Sequence, residues 1–186
     1  MDRLKKIGKY TSNILLILIV LTLFIPSWRL GFQTFINKLF MSDLVFETTN
    51  GTPIESDFAL FTENDEVENF QSLKGKPIVM SAWRTWCAPC RAELPELLEL
   101  KEHFGDKIHV IAATNEDFEI INKAGIDLNE FSFIRHAPYL PDEIVVKAFP
   151  TLFLITPNLE LVSTHEGGGN IMNEENMNLL NAMIQQ

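Results

Sequence analysis

Three rhythms of hydrophobic and polar residues run along this chain of 186 residues. The first is a nearly continuous apolar run, Ile14–Ile25, close to the start. The second repeats every three or four positions, the spacing that puts apolar side chains on one face of a helix. It appears at Phe32, Phe35, Ile36, Leu39 and Phe40. It returns at Leu94, Leu97, Leu98, Lys101 and Phe104, with Gly105 in the position of a helix-ending glycine. Asn115 predicts the cap of a helix with Glu116 and Asp117 in its first turn, ending near Gly125. Pro141-Asp142 predicts a short helix through Ala148, and Asn173 the cap of a last helix whose Met177, Leu180 and Ile184 face inward. The third rhythm is a set of short apolar blocks between turn residues: Ile78–Trp83, Ile108–Ala113 and a weaker Phe131–Ile134. Each reads as a buried strand. Thr151–Thr156 and Leu159–His165, joined by Pro157-Asn158, predict a hairpin; Asn50-Gly51, between Val45-Phe46 and Ile54, predicts another. Strand–helix alternation followed by a hairpin and a helix predicts an α/β domain with a mixed sheet.

The first rhythm decides the compartment. Taken alone, Ile14–Ile25 suits a secretory signal or a buried helix as well as a membrane span. Extended from Tyr10 to Trp28 it has 19 residues, about 28 Å of helix, close to a bilayer core, with an aromatic ring for each interface. Pro26-Ser27-Trp28-Arg29-Leu30 lacks the small-residue pattern of a cleavage site, and there is no third cysteine to lipidate. An uncleaved anchor is therefore expected. Arg3, Lys5, Lys6 and Lys9 before the run hold the N-terminus in the cytoplasm, which puts the body outside it. The apolar stripe at residues 32–40 suits the extracytoplasmic membrane–water interface, and equally packing against the body or another subunit. The expected organisation is a basic head, transmembrane anchor and juxtamembrane segment over residues 1–42, and an extracytoplasmic domain over 43–186.

Composition sharpens this picture. Apolar residues make up 46% of the chain and include 14 phenylalanines, enough for a packed core. The net charge of −10 hides an asymmetry: residues 1–38 hold six basic side chains against Asp2 alone, a net of +5, so the remainder carries −15. An acidic body argues against nucleic acid as a partner, since phosphate backbones demand basic patches.

The only two cysteines, Cys87 and Cys90, stand two residues apart in Cys87-Ala88-Pro89-Cys90, between a predicted strand and a predicted helix. Three apart in the first turn of a helix, they are near enough for a disulfide. Cys87 faces the unpaired N–H groups and positive dipole end of that helix, a setting that favours thiolate. Cys90, one turn in, is shielded and suited to resolving a mixed disulfide. A structural disulfide closing so short a loop gives little entropic stabilisation. A metal site would need further ligands, and His103, His109, His136 and His165 are scattered. Reversible redox chemistry, with no metal and no cofactor, is the expected reading.

Trp86-Cys87-Ala88-Pro89-Cys90 after a strand, with Phe149-Pro150-Thr151 before a hairpin, resembles the thioredoxin fold. More narrowly, Ser72-Leu73-Lys74-Gly75-Lys76, then Ala82-Trp83-Arg84-Thr85-Trp86-Cys87 and Arg91-Ala92-Glu93-Leu94-Pro95, resembles the TlpA/ResA-like membrane-anchored thiol–disulfide oxidoreductases. The likeness spans about residues 55–186. It implies a thioredoxin-like fold whose mixed central sheet is flanked by helices, with Cys87 attacking and Cys90 resolving. It implies a buried acid at Glu93 that moves protons and tunes the thiols, and a helix-kinking proline at Pro95. Pro150 matches the cis-proline that faces the disulfide and receives an extended substrate chain, with Phe149 and Trp86 as flanking substrate contacts. The implied partners are protein disulfide substrates, apocytochromes among the candidates, and a membrane electron donor.

The sequence departs from that pattern in three places. Arg84 replaces a small residue, where it either favours thiolate or points to solvent. Ser81 stands where thioredoxins carry a buried aspartate, leaving Glu93 as the one expected proton carrier. The stretch from His136 to Pro141 is shorter than the insertion of many relatives. The expected activity is reduction of protein disulfides; oxidation through the same cysteines and redox-inert peptide binding are its rivals.

Overall fold

The short apolar blocks become neighbouring strands in the computed structural model, which describes residues 43–185. The strands are β1 (Thr52–Pro53), β2 (Ala59–Phe61), β3 (Val67–Asn69), β4 (Ile78–Ala82), β5 (His109–Thr114), β6 (Ile134–His136), β7 (Thr151–Ile155) and β8 (Glu160–Glu166). They form one sheet in the order β1-β8-β7-β4-β5-β6-β2-β3. β4 runs parallel to β5 and β5 to β6, whereas β7 is antiparallel to both β4 and β8. The sheet is therefore mixed. The helices are α1 (Ala88–Phe104), α2 (Phe118–Lys123) and α3 (Glu174–Ile184).

Every residue of β4 and β7 is buried, as expected of strands covered on both faces. The pleat sends alternate residues to opposite sides. Val79, Leu152 and Leu154 join Leu97 and Leu100 of α1 and Leu180 of α3 in one core. Ile78, Met80, Phe153 and Ile155 join a second core with Phe58 and Phe70. The second face is covered mainly by irregular chain, where Phe58 and Phe70 stack with centroids 4.5 Å apart.

Some elements differ from expectation. Asn50-Gly51 is no hairpin turn: Thr49 donates its N–H to the Val162 carbonyl, and β1 pairs with β8. Glycine is needed at position 51 because a Cβ there would stand 2.8 Å from Glu160 Cβ. Leu44 and Phe46 are bound to a side chain instead of a strand, with Asn176 accepting from Phe46 N–H and donating to the Leu44 carbonyl. The helix placed from Asn115 starts only at Phe118, because the Glu116 carboxylate is bonded to Thr85. Residues 141–148 hold a turn, Ile144 N–H to Pro141 carbonyl, and no helix; burying Ile144 in the second core decides that conformation. The third strand is displaced to Ile134–His136, and the β2–β3 hairpin was not foreseen. The anchor and the stripe at residues 32–40 lie outside the described residues. Among the described residues no helix is long and apolar enough to cross a membrane.

Candidate active site

β4 delivers the chain to the cysteines. Trp83 continues the strand by donating its N–H to the Ala113 carbonyl, and Cys87 then becomes the N-cap of α1. Cys87 Sγ accepts the Cys90 N–H at 3.2 Å, so the sulfur does the capping that a serine or aspartate oxygen usually does. Cys87 and Cys90 are joined in a disulfide. Cys87 is 5% exposed and Cys90 1%, which leaves Cys87 the more accessible sulfur. The loop before them is clamped from β5's end: Glu116 accepts from Thr85 N–H at 2.7 Å and from Thr85 Oγ at 2.9 Å. Nothing in the sequence spacing pairs residues 31 apart, so this clamp was not anticipated.

Glu93, on the next turn of α1, is 1% exposed and is no solvated helix glutamate. Ser81 of β4 donates its hydroxyl to Glu93 Oε2 at 2.6 Å, while Oε1 is buried without a hydrogen-bond partner. Burial pushes the Glu93 pKa up to about 8; the Ser81 hydrogen bond opposes the shift and the nearby Glu96 carboxylate adds to it. A carboxyl in that range is matched to a free thiol, whose pKa is about 8.5, so a proton passes between them at little cost in either direction. Glu96 is itself buried, a second carboxyl one turn further along that the sequence reading passed over. Pro95 lies inside α1.

The other side of the disulfide is aromatic. β7 pairs with β4 with Thr151 opposite Ala82, which brings Pro150 to the strand end that leads to Cys87. The Phe149-Pro150 bond is cis. Trp86 is 71% exposed and meets Phe149 edge-on, with centroids 5.9 Å apart. Arg84 does not point to solvent. Its guanidinium lies over the Phe149 ring, 4.5 Å from the centroid, and donates to the Trp83 carbonyl and Thr114 Oγ1. Thus Trp86, Phe149 and Arg84 form one cluster, and Ser81 and Glu93 another.

Residues 49–134 match the Redoxin family model. That stretch of the chain is similar to a Redoxin domain. It is 29% identical over 168 residues to the thioredoxin-like protein YneN of Bacillus subtilis, a match covering 86% of this chain and 90% of that protein. It is 25% identical over 166 residues to the thiol-disulfide oxidoreductase ResA of Oceanobacillus iheyensis, covering 85% of this chain and 80% of that one. Among solved structures it is similar to a putative thiol:disulfide interchange protein DsbE from Chlorobium tepidum. The TM-score is 0.58 at 22% identity, over 74% of this chain and 99% of that chain. The protein is accordingly thioredoxin-like and of the thiol–disulfide oxidoreductase type, with its cysteine pair in the disulfide form.

Proposed function

We propose that this protein is anchored in the cytoplasmic membrane by residues 10–28 and reduces disulfides of proteins outside the cytoplasm. The observation that carries the reading is the buried Glu93 carboxyl, with its pKa near 8, one turn beyond a cysteine pair that caps a helix. In the reduced protein Cys87 thiolate attacks a substrate disulfide, forming a mixed disulfide and expelling one substrate thiolate, which takes a proton from solvent. Cys90 gives its proton to the Glu93 carboxylate and attacks Cys87 Sγ. The second substrate sulfur leaves as thiolate and takes the proton that Glu93 received, and the Cys87–Cys90 disulfide of this structure is the product. A membrane electron donor returns two electrons, and one proton completes the Cys87 thiolate and Cys90 thiol. Apocytochromes awaiting haem attachment are candidate substrates.

Two measurements test this reading. The full chain should reduce insulin, with a potential near the thioredoxin value of about −270 mV; one near the value of about −120 mV for strong oxidants would reverse the direction. Membrane fractions should retain the chain through carbonate washing, and an alkaline phosphatase fusion after residue 45 should be active. A mature chain starting near residue 30 would contradict the anchor.

A further inference from the structure

Where β4 and β5 end, on the second face of the sheet, lies a pocket of about 260 Å³. Ala82 and Ala113, at the C-terminal ends of β4 and β5, line it together with Ala137, Leu140, Ile144 and Phe149. Three of these six are alanines, so the space exists because short side chains stand where the strands end. Arg84, Thr114 and Asn115 line one side; the rest is mainly apolar, and the space is large enough for a leucine or phenylalanine side chain. Its rim holds Tyr139, 61% exposed. Phe149, one wall, is also the ring that Trp86 meets, and it precedes Pro150. The pocket thus shares a wall with the Trp86–Phe149 pair, whose Trp86 immediately precedes Cys87, and the exposed rings of Trp86 and Tyr139 flank it. Exposed aromatics around a concave apolar site are what a docking surface presents.

We infer that this pocket selects the substrate, by receiving a large apolar side chain next to the cysteine that Cys87 attacks. The inference rests on the reductase reading and names its substrate class: extended or unfolded polypeptide with a leucine, phenylalanine or similar residue beside its disulfide cysteine. Arg84 decides against the charged alternatives. Its guanidinium is already held by the Trp83 carbonyl, by Thr114 and over the Phe149 ring, and is attracted to Glu116. It therefore has little to offer a substrate carboxylate, while its charge repels a lysine or arginine entering at that edge. An apolar side chain gains the unfilled walls and displaces water from them.

The test uses the reduced full chain in detergent and symmetrical disulfide dimers of short peptides, Gly-Ser-X-Cys-Z-Ser-Gly. X and Z are set in turn to Gly, Lys, Glu, Leu or Phe. One protein dithiol and one peptide disulfide give one protein disulfide and two peptide thiols, and the released thiol is measured. At one of the two positions Leu and Phe should react at least about tenfold faster than Gly, and Lys slowest, the discrimination a well-filled apolar pocket supplies. Ala137→Phe, which fills the pocket, should abolish that preference while oxidised glutathione, which carries no large apolar side chain beside its cysteine, is reduced at the unaltered rate. If Ala137→Phe does not fold, Val146→Phe fills the same space, since Val146 also lines the pocket. Equal rates for all peptides, or a preference that survives filling, would overturn the inference and leave the reductase reading standing. So would sedimentation showing a dimer that Ala137→Phe dissociates, since the pocket would then belong to a second copy. If neither peptides nor glutathione are reduced, the reductase reading falls and takes the inference with it.

Discussion

The two flanks of the disulfide are built on opposite principles. On the α1 side, Cys90, Glu93 and Ser81 are shut away from water, and one hydroxyl–carboxyl bond fixes the acid. On the β7 side, Trp86 stands in solvent against Phe149, under which Arg84 and an open pocket lie. In the proposed function the enclosed flank handles protons, its dry surrounding pushing the carboxyl up to about 8. In the proposed function the open flank serves recognition, because a partner chain can reach it. One pair of sulfurs sits on the boundary and belongs to both.

The largest effect should come from the boundary itself. Cys87→Ser should abolish turnover of insulin and of small disulfides alike, because both flanks act through that sulfur. Residual turnover above background would mean that Cys90 attacks unaided.

Glu93→Gln breaks the enclosed flank alone. Turnover should fall roughly 10²-fold, the low end of general acid–base help. Its effect on stability has a definite sign. Between about pH 4.5 and pH 8 the folded chain holds the Glu93 proton that the unfolded chain has released. Stability therefore falls as pH rises through that window and stays at the lower level above it. Glu93→Gln removes this slope, so denaturant unfolding at pH 9 should find the variant a few kcal/mol more stable than the parent, with the difference vanishing near pH 4. A variant less stable at pH 9 would mean that Glu93 is ionised and paired in the fold.

Trp86→Ala breaks the open flank alone. The ring is exposed, so unfolding free energy should stay within about 0.5 kcal/mol of the parent. The kcat/KM for protein disulfides should drop by about tenfold, the scale of one lost aromatic contact. Loss of stability in place of specificity would move Trp86 into the core account. The smallest change is expected from Ser81→Ala. It removes the hydrogen bond that holds the carboxylate form, so the Glu93 titration should move further upward, at a stability cost of about 1 kcal/mol. A downward shift would show that the bond favours the protonated acid.

The flanks also differ in how far the sequence announces them. Buried strand, cysteine pair and helix are consecutive, so the block Ile78–Trp83, the motif and the heptad-like leucines of α1 could be read in order. Glu93 is read from its step beyond Cys90, whereas its partner Ser81 becomes visible only when β4 lies under α1. The same holds for the Glu116–Thr85 clamp and for Arg84 over Phe149, contacts between residues 31 and 65 positions apart. Elsewhere local signals misled. Pro141-Asp142 has the look of a helix start, but Ile144 is drawn into the second core and the segment turns instead. Asn50-Gly51 has the look of a hairpin, but its glycine answers a close approach by Glu160. Tertiary packing outweighs propensity where no regular element of its own fixes the chain.

The central claim is that Cys87 attacks and Cys90 resolves. Mass spectrometry of the full chain carrying Cys90→Ala, after incubation with a peptide disulfide, tests it most directly, with Cys87→Ala treated alongside. A stable adduct of one peptide on Cys87 in the first variant, and none on Cys90 in the second, is the predicted result. Equal adducts on both cysteines, or an adduct on Cys90 alone, would contradict the account.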